Sequence, residues 1–266
     1  MRIARFSAGS EPQYGIVELA VDGGEHPDTV SALTGDPLAT KVQLTGQRFP
    51  LADVRLLAPV IPRSKVVAIG RNYAEHAAEL GNEVPETPLI FLKPNTSVIG
   101  PEEAIVYPTY TKQLSYEGEL AIVIGRICKE VPADRVPDVI FGYTIANDVT
   151  ARDLQGPDKQ WARAKGSDTF CPIGPWMVTH LSIDEAENLM ITTTVDDEQR
   201  QHDSTRLMLN KIVDLVVYIT SFTTLLPGDV ILTGTPAGVG RMEAGQRVSI
   251  QIDGIGTLSN PVVAAG

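Results

Sequence analysis

Three carboxylates in two short segments have the residue types and spacing of a metal site. Glu117 and Glu119 are separated by Gly118 at the start of the apolar run 120–124. In a strand the two glutamates point to one face, and Gly118 leaves the opposite face open to another group. Asp148 follows a second apolar segment. Carboxylates this close repel one another unless a cation lies between them, and an all-oxygen donor set suits Mg²⁺, Mn²⁺ or Ca²⁺ rather than zinc or copper.

Each of these carboxylates also has a plainer interpretation. The two glutamates can form a solvated strand edge, and Asp148 can be the N-cap of a helix over residues 149–154. In that helix Arg152 and Gln155 lie near Asp148, at i+4 and i+7. A carboxylate, a guanidinium and an amide on one face can hold a carboxylate ligand beside a metal.

A histidine and a glutamate on a short alanine-rich segment form the second candidate pair. Asn72 can cap a helix there and Gly81 can end it. His76 and Glu79 are at i and i+3 and therefore share a face. A carboxylate beside an imidazole raises its basicity and orients it, which suits general-base activation of water. The alternative is a solvent-facing pair on a surface helix.

Two lysines and a glycine-rich turn complete the candidate set. Lys93 ends an apolar strand, and Lys165 lies in a segment that contains glycine and aromatic residues. Each can bind a substrate carboxylate or oxyanion, or extend its ammonium to water. Thr235 lies in the turn 233–240, where its hydroxyl and neighbouring N–H groups can bind a carboxylate. The alternative is simply a tight turn.

The elements that must position these residues are mostly strands. β-Branched content and Gly/Pro boundaries predict the strands 3–6, 14–20, 66–69, 89–92, 119–124, 140–146, 175–178, 190–195, 229–233 and 247–252. Helical patterns are fewer and cover 73–80, 149–154 and 207–224. Because βαβ alternation is absent, we expect a mainly β fold (α+β), antiparallel or mixed, with a few flanking helices.

Two regions are expected along the chain. Residues 1–57 are predicted to form a small N-terminal domain whose strands are followed by a polar Gly/Asp/Pro stretch. Residues 58–64 read as a linker, since two prolines hold the chain extended. Residues 58–266 are then the catalytic domain.

Composition excludes several classes of partner. The 266 residues are 43% hydrophobic and 21% charged, and the net charge is −11 without any Lys/Arg run. We therefore expect neither nucleic acid nor an anionic membrane as a partner. The sequence contains two cysteines, begins without an apolar signal segment and has no apolar run long enough to span a membrane. These features predict a protein of the reducing cytoplasm.

The order and spacing of six motifs carry a family resemblance. They are G-R-N-Y-x-x-H-x-x-E, F-x-K-P, Y-E-x-E-L-A-x-V-I-G, G-Y-T-x-x-N-D-V-T-A-R-D-x-Q, A-K-x-x-D-T-F-x-P-x-G-P and P-G-D-V-I-x-T-G-T-P-x-G-V-G. Over about residues 58–266 the chain resembles the fumarylacetoacetate hydrolase family. Residues 1–57 resemble the short N-terminal extension of bacterial members.

The resemblance implies a role for each candidate residue. The metal ligands would be Glu117, Glu119 and Asp148. The catalytic residues would be His76 and Glu79, on a mobile lid, together with Lys165. The substrate-binding residues would be Arg152, Gln155, Lys93 and Thr235. It further implies a mixed β-roll, a homodimer, and Mg²⁺ or Mn²⁺ as cofactor, with Ca²⁺ binding in vitro.

The resemblance also implies the chemistry. The expected substrate is a small 2-oxo dicarboxylic or acylpyruvate-type acid that reacts through a metal-stabilised enolate. From the His–Glu pair we expect hydrolysis of a C–C bond or decarboxylation. The alternatives are 2-hydroxyhepta-2,4-diene-1,7-dioate isomerisation in aromatic catabolism and a metal-binding member that has lost catalysis. A structural cation site without chemistry is a further rival, but it would leave Arg152, Gln155 and Lys165 unexplained.

Overall fold

The computed structural model describes residues 1–9, 11–20 and 27–266, and strands predominate in it. The strands are β1 Arg2–Ser7, β2 Gln13–Glu18, β3 Thr29–Leu33, β4 Leu44–Pro50, β5 Arg55–Leu57, β6 Val66–Gly70, β7 Leu89–Lys93, β8 Val98–Ile99, β9 Ile105–Tyr107, β10 Leu114–Tyr116, β11 Gly118–Ile124, β12 Ile140–Asn147, β13 Thr150–Ala151, β14 Cys171–Val178, β15 Met190–Val195, β16 Glu198–Ser204, β17 Val230–Leu232, β18 Gly240–Met242, β19 Arg247–Ile252 and β20 Gly256–Ala264. The predicted mainly β fold with flanking helices is confirmed.

The helices are short. The α-helices are α1 Ala74–Glu79, α2 Arg152–Gln155, α3 Ala162–Lys165, α4 Ile183–Ala186 and α5 Ile212–Phe222, and 3-10 turns cover Leu51–Asp53, Asn95–Ser97, Ala133–Asp138 and Thr205–Leu207. Within these described ranges, no helix is long and apolar enough to cross a membrane.

A large mixed sheet forms the centre of the molecule. Its strands run in the order β4-β3-β2-β1-β14-β12-β11-β17-β6-β7, with β5 beside β1 and β8 beside β14. Most neighbours are antiparallel, whereas β17 pairs with β6, and β8 with β14, in parallel. A five-stranded sheet (β16-β15-β19-β20-β9) and a three-stranded sheet (β13-β10-β18) accompany it.

Strand β11 is buried on both faces, which explains its uninterrupted apolar sequence. Leu120 and Ile122 belong to a core shared with the five-stranded sheet and α5. Ala121 and Val123, which point the other way, belong to a second core. Since both faces are packed, the register of β11 and hence the direction of the glutamates before it are strongly specified.

The N-terminal strands extend the central sheet. Strand β1 pairs with both β2 and β14, with Ile3 opposite Met177. Residues 1–57 therefore continue the sheet of the larger region, and the division at residue 57 stays a prediction. Most of the expected polar stretch, residues 21–26, lies outside the described residues.

Two of the predicted helices begin later than expected. The helix predicted from residue 149 starts at Arg152, because Thr150 and Ala151 pair with β10 as a strand. The helix predicted from residue 207 becomes regular only at Ile212. The N–H of Asn210, just before it, donates to the side chain of Asn72 over 2.8 Å, which holds this part of the chain outside the helix.

Candidate active site

Strand pairing brings the three carboxylates together. Glu117 lies between β10 and β11, Glu119 lies in β11, and Asp148 directly follows β12. Gly118 pairs with Asn147 across β11 and β12, and the N–H of Asp148 donates to the carbonyl of Glu117 over 2.9 Å. Each of the three side chains can offer an oxygen within 4.8 Å of the others, and all three are buried.

Gly118 is required by close packing on the face opposite the carboxylates. A Cβ there would lie 2.5 Å from the hydroxyl of Thr193. The N–H of Gly118 donates to the side-chain oxygen of Gln201 over 3.1 Å. The predicted approach of another group to this bare face is confirmed.

Three cationic side chains contact the carboxylate cluster. Lys165 Nζ lies 2.9 Å from Glu117 Oε2 and 2.5 Å from Asp148 Oδ2. The guanidinium of Arg152 donates to the other oxygen of Glu117. Lys93 donates to the other oxygen of Asp148. Both lysines are almost completely buried, so these are ion pairs in a region of low dielectric constant.

The charges of the cluster are unevenly balanced. Burial would raise the pKa of Glu117, but Lys165 and Arg152 outweigh it and hold that pKa far below its usual range. Burial, and then the charges of Asp148 and Glu117, raise the pKa of Glu119 well above its usual range. Burial would lower the pKa of Lys165, but the two carboxylates it contacts raise it.

Glu119 is the position where a further cation would be stabilised. Its side chain accepts one hydrogen bond, of 2.7 Å from the N–H of Gly234, and no ion pair to it occurs among the described residues. A buried carboxylate without a countercharge is costly. The donor set is all oxygen, so the residues present fit Mg²⁺ or Mn²⁺.

His76 and Glu79 form a hydrogen-bonded pair on α1. His76 Nδ1 lies 2.8 Å from Glu79 Oε1, and the second oxygen of Glu79 accepts from the N–H of Gly238 over 3.0 Å. His76 is 5% exposed, so it is not the solvent-facing histidine of the alternative interpretation. Gly81, at φ +66°, ends the helix as predicted.

One cavity is lined by His76 and by two of the three carboxylates. Its volume is about 240 Å³, which is below the roughly 300–1,000 Å³ of sites for drug-sized ligands. It is lined by Ile69, Gly70, Arg71, His76, Leu80, Asn82, Glu117, Glu119, Arg152, Gln155, Gly156, Trp161, Lys165 and Thr235. Such a space suits a small, polar molecule.

Comparison with known proteins places the chain in a family. A family model described as fumarylacetoacetate (FAA) hydrolase C-terminal matches residues 65–263. The chain belongs to the fumarylacetoacetate hydrolase family. The resemblance inferred from the motifs is therefore confirmed. A model described as Rv2993c-like, N-terminal, matches residues 1–59.

Three similar members of the fumarylacetoacetate hydrolase family carry different activity names. The crystal structure of 2-hydroxyhepta-2,4-diene-1,7-dioate isomerase from Mycobacterium marinum is 47% identical with a TM-score of 0.90, covering 100% of this chain and 99% of that one. The mitochondrial oxaloacetate tautomerase Fahd2a of Rattus norvegicus is 36% identical over 99% of this chain and 92% of its own. Fumarylpyruvate hydrolase from Pseudomonas aeruginosa, in complex with Mn²⁺ and pyruvate, is 33% identical with a TM-score of 0.72, covering 78% of this chain and 98% of that one.

Seven of the ten site residues expected for this family member line the cavity, and Glu79, Lys93 and Asp148 do not. Lys165, Arg152, Gln155 and Thr235 line it, and Arg152 donates to Gln155 over 2.8 Å. Lys93 lies behind Asp148 and is absent from the cavity wall. It contacts a carboxylate of the cluster, and its predicted contact with substrate stays a prediction.

Two residues expected as helix caps have other partners. Asp148 is not an N-cap, because strand β13 separates it from α2. Asn72 makes no capping bond to α1. It is fully buried, and its amide donates to the carbonyls of Asn210 and Thr233 over 3.1 and 2.8 Å. It thus ties the start of α1 to the segment after β17.

The sequence analysis missed three residues at the site. Trp161 and Arg71 line the cavity, and Lys165 Nζ lies 5.9 Å from the Trp161 ring centroid. Gln201, on β16, donates to the hydroxyl of Thr235 over 2.8 Å and accepts from the N–H of Gly118. Arg71 is part of the first motif, and Trp161 lies three residues before the motif that contains Lys165, so both positions carry a usable signal. Gln201 lies in a polar strand without any local pattern.

Proposed function

We propose that this protein is a divalent-cation-dependent enzyme that moves a proton at the carbon next to the 2-oxo group of a small dicarboxylic acid. The observation that carries this proposal is the buried cluster Glu117, Glu119 and Asp148 beside a cavity that Glu117, Glu119 and His76 line. The names of the isomerase and the tautomerase, which align with almost the whole chain, support the same reaction class.

The three carboxylates would hold Mg²⁺ or Mn²⁺. When bound, such a cation supplies Lewis acidity that stabilises negative charge on the 2-oxo oxygen. The Mn²⁺ named for the fumarylpyruvate hydrolase supports this assignment. Lys93 and Lys165 hold the two oxygens of Asp148 from different sides, so they fix the direction of that carboxylate.

The charge of the site favours a doubly charged acid. The three carboxylates are matched by three cationic side chains, Lys93, Lys165 and Arg152. A divalent cation would then leave two positive charges in excess, close to the cavity. Opposite charge attracts the substrate and aligns it in a site with little water.

His76 is the group placed to move the proton. Its Nδ1 is occupied by Glu79, and Nε2 has no hydrogen-bond partner in the described part of the chain. His76 Nε2 can thus accept a proton from carbon 3 of the acid. Return of one proton to the 2-oxo oxygen, from the His76 imidazolium or by exchange with water, then completes the conversion of the keto form to the enol. The carboxylate of Glu79 stabilises the imidazolium that forms.

Cleavage of a C–C bond is the second candidate, and the same pair favours it. If His76 Nε2 instead accepts a proton from water, hydroxide adds to carbon 4 of an acylpyruvate. The bond between carbons 3 and 4 then breaks, and the proton held on His76 is returned to carbon 3, which gives a carboxylic acid and pyruvate. Loss of CO₂ from oxaloacetate breaks the corresponding bond without water. An inactive family member is disfavoured by the intact His76, Glu79 and Lys165.

A substrate panel tests the proposal. Purified protein is freed of metal by chelation, reloaded with Mg²⁺ or Mn²⁺, and followed by NMR in D₂O with oxaloacetate, acetylpyruvate, fumarylpyruvate and the heptadiene-dioate. We expect metal-dependent deuterium exchange or keto–enol interconversion with at least one acid. Cleavage products would select the second candidate. Absence of any metal-dependent reaction across the panel would refute both.

A further inference from the structure

Arg71 is a cation of the cavity wall that has no carboxylate partner. It lines the cavity that Glu117, Glu119 and His76 also line, and it is partly exposed. Among the residues that the structure describes, no hydrogen bond or ion pair is formed by its guanidinium. Arg152, by contrast, is engaged by Glu117 and Gln155. Arg71 therefore has its donors available for a ligand.

The backbone holds Arg71 at this position. Its φ is +57°, in the left-handed region that residues other than glycine and asparagine seldom adopt. Both neighbours are fixed: a Cβ on Gly70 would lie 2.8 Å from the Trp161 ring, and Asn72 is fully buried between Asn210 and Thr233. Unfavourable backbone conformations persist where the surroundings impose them, and they concentrate at functional sites.

We propose that Arg71 binds the second carboxylate of the substrate and thereby selects dicarboxylic over monocarboxylic 2-oxo acids. This inference rests on the proposed function, since it assumes that the first carboxylate and the 2-oxo group are held at the Glu117–Glu119–Asp148 cluster. Arg71, Glu117 and Glu119 line the same cavity of about 240 Å³, so a small acid bound there can contact the cluster with one end and Arg71 with the other. A guanidinium can bind a carboxylate through two parallel hydrogen bonds.

The other cations of the site cannot take this role as readily. Lys93 is absent from the cavity wall, and Lys165 already contacts Glu117, Asp148 and the hydroxyl of Thr150. Drawing either lysine towards a distal carboxylate would break at least one ion pair to a buried carboxylate, which is costly. Arg71 loses no ion pair when it binds an anion.

Two stable acids that differ in one carboxylate test the proposal by binding alone. Lactate and malate are titrated calorimetrically into the Mn²⁺-loaded protein, as wild type, Arg71→Met, Arg71→Lys and the control Arg126→Met, which changes an exposed arginine. Mn²⁺ also binds malate in free solution, but this background heat is the same for every variant. Differences between variants therefore measure binding of malate by the protein.

We expect Arg71→Met to weaken malate binding about 10- to 100-fold and to leave lactate binding unchanged. The malate affinity of Arg71→Lys should fall between those of the wild type and Arg71→Met, because an ammonium lacks the planar pair of donors. Arg126→Met should match the wild type. In the reaction assay, Arg71→Met should raise KM for oxaloacetate more than it lowers kcat.

Three results would overturn the role of Arg71. The first is that Arg71→Met weakens lactate and malate binding equally. The second is that this substitution leaves malate binding unchanged. The third is that the wild type binds malate no more tightly than lactate. If the wild type instead binds malate through Arg71 but turns over no 2-oxo acid, the proposed reaction fails and the carboxylate site stands.

Discussion

At the scale of single residues, the three carboxylates differ in what surrounds them. Asp148 contacts two buried lysines, and Glu117 contacts Lys165 and Arg152. Glu119 has no such partner among the described residues. If all three bind one cation, each should be needed for it, yet their removal should affect the metal-free protein in different ways.

We therefore expect Glu119→Gln and Asp148→Asn to separate metal binding from stability. Both should weaken Mn²⁺ binding at least about 100-fold, since even groups outside the ligand shell change affinity 10- to 100-fold. Asp148→Asn should also cost the metal-free protein about 3–5 kcal/mol, because Lys93 loses its carboxylate partner and Lys165 keeps only Glu117. Glu119→Gln should leave its stability equal or higher, because it removes an uncompensated buried charge.

Calorimetric Mn²⁺ titration and denaturant unfolding of the chelated proteins measure the two effects. The surface variant Asp134→Asn serves as control, since Asp134 is exposed. Undiminished Mn²⁺ affinity in Glu119→Gln, or full activity of the wild type after exhaustive chelation, would refute the metal site.

The His76–Glu79 pair makes a kinetic prediction at the same scale. His76→Ala should lower kcat by roughly 10²–10⁴-fold, the usual contribution of a general base, and Glu79→Gln should have a smaller effect in the same direction. Mn²⁺ affinity should change far less than kcat, because in the described part of the chain neither residue is hydrogen-bonded to the three carboxylates. Steady-state kinetics with the best acid of the panel gives the measurement.

His202→Ala is the matched control, since His202 is exposed and bonded to Thr192. A kcat for His76→Ala within a factor of about three of the wild-type value would exclude His76 as the base.

At the scale of elements, α1 depends on its contacts for stability. It has only six residues, and isolated helices this short are marginal in water. One of its anchors is the bond from the N–H of Gly238 to Glu79. We expect residues 72–86 to act as a lid that becomes more ordered over a bound ligand, since closure would exclude water from the cavity.

Amide hydrogen exchange can test the lid. Exchange across residues 72–86 should slow when oxalate and Mn²⁺ are added, whereas exchange across β19, Arg247–Ile252, should not respond. Equal exchange of the α1 segment with and without the ligand would count against closure.

Asp229 joins the linker to the central sheet and makes a pH-dependent prediction. Its side chain accepts hydrogen bonds from the backbone N–H groups of Ser64, Lys65 and Leu226. Burial would raise the pKa of Asp229, but these hydrogen bonds, with those from the Ser64 hydroxyl and the Lys65 ammonium, outweigh it and lower the pKa below its ordinary value of 3.8. Ionised Asp229 therefore stabilises the fold above that value, and the contribution is lost as pH falls through the lowered pKa.

Asp229→Asn should consequently reduce the free energy of unfolding by about 2–4 kcal/mol at pH 7. The difference from the wild type should shrink below about pH 4, where unfolded Asp229 becomes protonated. Urea unfolding at several pH values provides the test, with Asp134→Asn again as control. A difference that does not depend on pH would show that the charge of Asp229 is unimportant.

At the scale of the whole molecule, the family resemblance predicts a homodimer. Light scattering at micromolar concentration should then give about twice the chain mass of 28.6 kDa. A mass equal to one chain across the concentration range would contradict the prediction.

The amino-acid sequence was sufficient to predict the mainly β class, the family and seven of the residues that line the cavity. These features follow from local patterns. Alternating and uninterrupted apolar runs reveal strands, and Glu117 and Glu119 share a face because side chains alternate along a strand. Gly118 could be recognised as a point of close approach for the same reason.

Features that depend on pairing between distant segments were decided only by the tertiary structure. Asp148 looked like a helix cap until the pairing of Thr150 and Ala151 with β10 replaced the first turn of that helix. Lys93 could equally have faced the cavity, and the packing of its strand turned it behind Asp148. Gln201 reaches Gly118 from another sheet across 83 positions of sequence. At such places the direction of a side chain depends on how distant segments pack together in the core. No short stretch of sequence contains that information.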